Sequence, residues 1–140
     1  MVVVVGVDET EHGVTVVSRA LEEARSRDAE LHVVHVFHPP VLPYLGSPID
    51  IPAIAKAEKA AVWERIDPHL AHAGVPVHRV DLEGYPPDTL VHYVQNVGAN
   101  LLVVGSRGRG ELAALVLGST SHRCIHLAPC DVLVVKPSHA

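Results

Sequence analysis

The 140-residue chain predicts a three-layer α/β fold, a single domain spanning residues 1–140 whose five-stranded parallel sheet has the order 3-2-1-4-5. Three observations predict it. Five short runs rich in Val and Leu recur along the chain, and helical patterns separate them. Three of those runs are continuously apolar, so both of their faces must be covered, as in a parallel sheet packed between helices.

The elements follow in order. Val2–Val7 is the first apolar run, and Asp8 stands at its end. Val14, Val17, Leu21 and Ala24 recur at spacings of three and four, which predicts an amphipathic helix with Glu22, Glu23, Arg25 and Arg27 on its wet face. Leu31–Phe37 is the second strand. The segment His38–Pro52, with prolines at 39, 40, 43, 48 and 52, reads as a stiff surface loop. Ala53–Ala73 keeps a near-helical apolar period through Ile54, Ala57, Ala61, Ile66 and Leu70. Val75–Leu82 is the third strand. Asp88 is placed to cap a helix holding Leu90, Val91, Val94 and Val97, and Gly98 suits its C-terminal turn. Leu101–Val104 is the fourth strand. Ser119 or Thr120 starts a last helix that ends before Pro129, and Val132–Val135 closes the sheet.

With right-handed crossovers, this alternation gives a Rossmann-like, flavodoxin-like arrangement. Ligands of such sheets sit beyond the carboxyl ends of strands one and four, where the winding reverses.

Composition narrows the function. A hydrophobic content of 48% suffices for a core without staples, since a domain of this size buries roughly 68–70% of its unfolded surface. A net charge of −5 and an aromatic content of 4% argue against a nucleic-acid binder, which needs a basic face or stacking platforms. Met1–Asp8 has no basic leader and is too short to span a membrane, and the two cysteines, Cys124 and Cys130, fit a reducing compartment; the expectation is a cytoplasmic protein.

The chemistry concentrates after the fourth strand. Gly105-Ser-Arg-Gly108-Arg-Gly110 is followed by an apolar stretch and then Gly118-Ser119-Thr120-Ser121. Glycines there let the main chain approach a ligand, and successive amides form an anion-binding concavity. Ser119, Thr120 and Ser121 stand where a helix start presents its amides and positive dipole end. Two donor-rich elements would converge on a polyphosphate. No Lys precedes Ser119, so this is not a Walker A loop. Gly108-x-Gly110-x-x-Ala113 mimics a dinucleotide fingerprint but follows the wrong strand. Composition alone also leaves open a plain loop tip followed by an ordinary Ser N-cap.

Gly105-x2-Gly108-x9-Gly118-Ser119 resembles the ATP-binding signature of the universal stress protein family. Val3-Val-Val-Gly-Val-Asp8 resembles that family's opening strand, Leu31-His-Val-Val-His-Val36 its second strand, and Ala128-Pro-Cys-Asp-Val-Leu-Val-Val135 its closing strand. The resemblance implies binding of ATP, or of ADP or AMP, with Val7 and Asp8 beside the nucleoside and Val36 against the adenine. It places Val104, Gly105 and Gly108 along the ribose and phosphates, with Gly118, Ser119, Thr120 and Ser121 completing the phosphate cradle. It also implies a homodimer through Val132–Val135. Where the family commonly shows Asp-Gly-Ser and a further Ser, this chain has Asp8-Glu9-Thr10-Glu11-His12. The added acids, Glu9 and Glu11, near a polyanion would either weaken binding or require Mg²⁺ as a bridge, with Asp8 its candidate ligand.

Rival readings remain. Asp8 alternatively caps the first helix. His122 and His126, four apart on a helix, share a face but lack an evident third metal ligand. His32 and His38 lie on one side of their strand and His35 on the other, so three ligands from that run cannot converge. Cys130 as a nucleophile lacks an evident base, and no GxSxG elbow is present. The functional expectation is a regulatory, stress-response nucleotide binder with at most slow ATP hydrolysis. The alternatives are an enzyme of the adenine nucleotide α-hydrolase group, releasing AMP and pyrophosphate, and a dimeric interaction module with an empty pocket.

Overall fold

In the computed structural model, which describes residues 1–40, 49–106 and 117–137, the elements alternate as the sequence predicts. They are β1 (Val2–Val7), α1 (His12–Ser26), β2 (Glu30–Phe37), α2 (Ile51–Leu70), β3 (Val77–Glu83), α3 (Pro86–Val97), β4 (Leu101–Gly105), α4 (Ser119–Leu127) and β5 (Asp131–Val135). All four strand pairings are parallel, and the sheet order is β3-β2-β1-β4-β5. β1 is central, with Val3 opposite Leu31 on one side and Leu101 on the other.

Alternation along the strands divides the core into two layers. Val3, Val5, Leu31 and Val33 point to the side of α1 and α2, where Val17, Leu21, Val62 and Ile66 meet them. Val4, Val34, Leu102 and Val104 point the other way, against Leu90, Val91 and Val94 of α3 and Cys124 of α4. Continuous valine runs are therefore what a strand needs when both faces are dry.

Several element ends differ from expectation, and four of the differences have a local reason. β3 begins at Val77 rather than Val75, because Pro76 has no N–H to give the ladder; its carbonyl still accepts the Leu31 N–H at 2.9 Å. α2 begins at Ile51 rather than Ala53, because Asp50 caps it by accepting the Ala53 N–H at 3.0 Å, and Pro52 belongs to its first turn instead of the preceding loop. α3 begins at Pro86 after Tyr85, so Asp88 is not its cap but a first-turn acid, paired with Arg123 of α4 at 2.8 Å. Gly105 is the last residue of β4, opposite Val135, and not the first of a loop. Gly98 ends α3 in the left-handed conformation at φ 64°, as its position predicts.

Candidate functional site

Beyond the carboxyl ends of β1 and β4 lies a cleft of about 400 Å³. Gly6, Val7, Val34, Val36 and Val104 line its base. Gly6 has no Cβ for a reason: one would stand 2.8 Å from Leu90 Cδ1, so the glycine lets α3 close against the strand. Asp8, Glu9 and His12 also line the cleft, as do Gly118 to Ser121. Glu58, His38 and Tyr85 line it too, with the His38 and Tyr85 rings edge to face at 5.6 Å between centroids.

Nine of the ten residues singled out from the sequence line this cleft: Val7, Asp8, Val36, Val104, Gly105, Gly118, Ser119, Thr120 and Ser121. Gly108 lies outside the described residues, as do Arg107, Arg109 and Gly110. Of the glycine turn expected to converge on the start of α4, the described part, Gly105 and Ser106, adjoins that helix start. The Gly118 N–H donates to the Ser106 carbonyl at 2.7 Å, and the Ser106 N–H donates to the Val135 carbonyl at 2.8 Å. The end of β4 and the start of α4 are thus joined, and the opening turn of α4 borders the cleft. The first bond of that helix runs from the His122 N–H to the Gly118 carbonyl at 3.0 Å, so the amides of Thr120 and Ser121 precede its hydrogen-bonded run. Ser121 is buried, and its hydroxyl donates to the Gly118 carbonyl at 2.9 Å; what it offers the cleft is its amide.

Asp8 does not cap α1. Its Oδ1 accepts both the Thr10 N–H at 2.9 Å and the Thr10 hydroxyl at 2.5 Å, an Asx-type turn, while Glu11 holds the N-cap position with no side-chain bond. The turn fixes the carboxylate in the cleft wall.

His12 was not singled out as a site residue. Its Nε2 donates to the Val135 carbonyl at 3.0 Å, which ties α1 to the end of β5. Its Nδ1 is buried with no hydrogen-bond partner. The ring also explains Gly105, where a Cβ would stand 2.7 Å from His12 Cδ2. No short-range signal marks this pairing, because 123 residues separate the partners. Glu58 of α2 also lines the cleft. It accepts from His35 Nε2 at 2.8 Å, and His35 Nδ1 faces Asp81 Oδ1 at 3.2 Å.

The thiols are structural. Burial, with smaller contributions from Asp88 and Cys130, pushes Cys124 up to about 11. Burial and then Asp131 raise Cys130, the reverse of what a nucleophile needs. At pH 8 a thiol with that Cys124 value is ionised to roughly one part in a thousand. Cys124 is therefore expected to resist a disulfide exchange reagent in the folded protein and to react within seconds in denaturant; a rapid reaction of both thiols in buffer would contradict this. His122 and His126 do share a face of α4, with ring centroids 4.8 Å apart, and both are exposed.

Comparison with known proteins gives a consistent picture. The sequence profile of the universal stress protein family matches residues 1–136. A universal stress protein of Thermus aquaticus is 35% identical over 132 residues, covering 92% of this chain and 93% of its own length. Universal stress protein MJ0531 of Methanocaldococcus jannaschii is 30% identical, covering 96% of this chain and 81% of its own. Among solved structures, UspA of Lactobacillus plantarum superposes with a TM-score of 0.85 at 20% identity, over 96% of this chain and 97% of its own, which speaks to the fold. A universal stress protein in complex with cAMP superposes with a TM-score of 0.74 at 27% identity, over 99% of this chain and 98% of its own. Among the described residues, no helix is long and apolar enough to cross a membrane.

Proposed function

This chain belongs to the universal stress protein family, and from that premise we propose that its cleft binds an adenine nucleotide as the basis of a regulatory, stress-response role. One observation carries the reading: the opening turn of α4, where the amides of Thr120 and Ser121 precede the helix's hydrogen-bonded run, borders the cleft at the switch point of the sheet, the setting in which a helix start attracts an anion. The cAMP complex of a relative at 27% identity supports the same ligand class. In this reading Val7 and Asp8 flank the nucleoside and Val36 meets the adenine. Val104, Gly105 and Gly108 run along the ribose and phosphates. Gly118, Ser119, Thr120 and Ser121 cradle the phosphate.

ATP, ADP and AMP are all accommodated by this logic. Three carboxylates line the cleft, from Asp8, Glu9 and Glu58, and their charge favours a triphosphate carried with Mg²⁺, with Asp8 the candidate ligand. Hydrolysis is slow in this reading, because Asp8 is engaged by Thr10 and Glu58 by His35, which leaves these two poorly disposed to activate a water. The protein acts as a cytoplasmic homodimer through β5, whose half-buried Val132, Leu133 and Val134 lie on an open sheet edge. Two free cysteines fit that compartment.

Titration calorimetry with ATP, AMP and cAMP, with and without Mg²⁺, tests the assignment. Gly118→Ala probes space alone, since its φ of −62° suits any residue. Ser119→Ala removes an exposed hydroxyl. Ser119→Ala is expected to weaken binding about tenfold, in line with a hydrogen bond to a charged group, and Gly118→Ala to weaken it by crowding the bound phosphate. Equal affinity in both variants rejects the site. Chromatography of the reaction products separates a binder, which leaves ATP almost intact, from an α-hydrolase that yields AMP and pyrophosphate.

A further inference from the structure

At the end of the sheet opposite the cleft, the starts of β2 and β3 bring three ligand-type side chains together. Glu30 and His32 are two residues apart on β2 and so share a face. His78 on β3 is the register partner of His32. One ligand atom from each lies within 4.8 Å of the others, and among the described residues this is the one cluster of three or more such groups. His32 Nε2 is 2.8 Å from Glu30 Oε1, and His78 Nε2 is 3.9 Å from the same oxygen.

Those separations are close to what a metal ion imposes. Bonds of 2.0–2.1 Å in a tetrahedral shell set neighbouring ligand atoms about 3.3 Å apart. The observed 2.8 and 3.9 Å straddle that figure, so an ion enters with shifts of well under the length of a side chain. The cluster also has a fixed and a movable member. His32 is buried, and its Nδ1 is held at 2.7 Å from the Tyr93 hydroxyl of α3. His78 is half exposed, its side chain 53% accessible, and can turn its ring. A partner behind a ligating imidazole sets the ring's orientation and tautomer, as Tyr93 does here.

We propose that Glu30, His32 and His78 bind a divalent transition-metal ion of the zinc class, with water completing the shell. Two imidazoles and one carboxylate suit such borderline ions and not Mg²⁺ or Ca²⁺, which take all-oxygen shells. On binding, the neutral His32 ring gives its Nε2 lone pair to the metal and keeps its proton on Nδ1, where the Tyr93 oxygen accepts it. The ion joins β2 to the edge strand β3 at their first residues. At about 3.3 Å per residue, His32 is roughly 13 Å along β2 from Val36, so the site is separate from the nucleotide cleft and does not depend on it.

The alternative is a plain ion-paired cluster with no affinity for metals, and adventitious binding by other histidines must be excluded in a chain with 11 of them. The test is a Zn²⁺ titration by calorimetry on the chelator-treated full-length protein, paired with thermal unfolding. One equivalent is expected to bind, and saturating Zn²⁺ is expected to raise the unfolding midpoint by roughly 8 °C at a hundredfold excess over Kd. His78→Ala and Glu30→Gln, both at exposed side chains, are each expected to weaken binding at least about tenfold and to abolish the midpoint shift. The double variant His122→Ala/His126→Ala is expected to retain both. The proposal is overturned by the absence of binding up to about 1 mM Zn²⁺. It is equally overturned by binding that survives in His78→Ala, or that disappears in the α4 double variant instead.

Discussion

His35→Ala is expected to lower the unfolding free energy by about 3 kcal/mol and the thermal midpoint by roughly 10 °C. His35 is 2% exposed in the middle of the layer between β2 and α2. It spans two carboxylates, with Nε2 at 2.8 Å from Glu58 and Nδ1 at 3.2 Å from Asp81. Asp81 also accepts the Trp63 indole N–H at 3.0 and 3.1 Å. Deleting the imidazole leaves both carboxylates facing a void. Breaking a buried charge network by removing one partner costs roughly 3–5 kcal/mol. The lower end applies here, because the Glu58 and Asp81 side chains are 17% and 29% exposed and water reaches them. Asp81 also keeps Trp63, with Lys59 at 3.7 Å. His35→Gln, which preserves volume and one donor, is expected to recover about half the loss. Urea unfolding of the three proteins measures this directly. A loss below about 1 kcal/mol in His35→Ala would mean that the carboxylates are solvated and the network contributes little.

Much of the architecture was legible because it rests on short-range patterns. Val2–Val5 and Leu101–Val104 are valine- and leucine-rich on both faces, so their central place in the sheet could be read before any pairing was known. Gly98 marks the end of α3 for a reason local to one residue, its positive φ. The misplaced boundaries arose where two local signals compete. Asp88 is a good cap, but Pro86 and Pro87 suit the opening turn of a helix better and move its cap from Asp88 to Tyr85, three residues earlier.

The cleft was legible in part. Topology places the cleft beyond the ends of β1 and β4, with Asp8 at that point, whereas Val7, Val36 and Val104 as site residues came from the resemblance to the universal stress protein family. His12 could not be found that way: its importance comes from a bond to Val135 and from contact with Gly105, both distant in sequence. The same limit hid the cluster at the other end of the sheet. The parity of His32 and His35 was correct, with His32 against Tyr93 of α3 and His35 against Glu58 of α2. What parity cannot supply is the register that sets His78 beside His32. Side-chain periodicity assigns a face, but only strand pairing assigns a neighbour.

Val36→Trp is expected to reduce adenine-nucleotide affinity by at least about a hundredfold, close to 2.7 kcal/mol, while leaving the fold intact. Val36 is half buried at the end of β2 and lines a cleft of about 400 Å³. Val36 packs against the layer of Val34 and Leu90 and also borders the cleft, so an indole turned toward the open volume would occupy the space that the proposed reading gives to the base. Stacking and burial of one base contribute roughly 1–3 kcal/mol, which sets the scale of the loss. The pattern across ligands is the sharper part of the argument. A block at the base affects ATP, AMP and cAMP alike, because all three carry the same adenine. Ser119→Ala, at the helix start, acts on phosphate and is expected to weaken ATP more than AMP, since the hydrogen bond it removes goes to a charged group. Calorimetry of the two variants against the three nucleotides reads out this difference, with circular dichroism to confirm the fold. If Val36→Trp binds all three as the unaltered protein does, the base lies elsewhere and the orientation assigned to the nucleotide is wrong. If it loses ATP but retains AMP, the cleft recognises phosphate at the β2 end, and the two ends of the ligand must be exchanged.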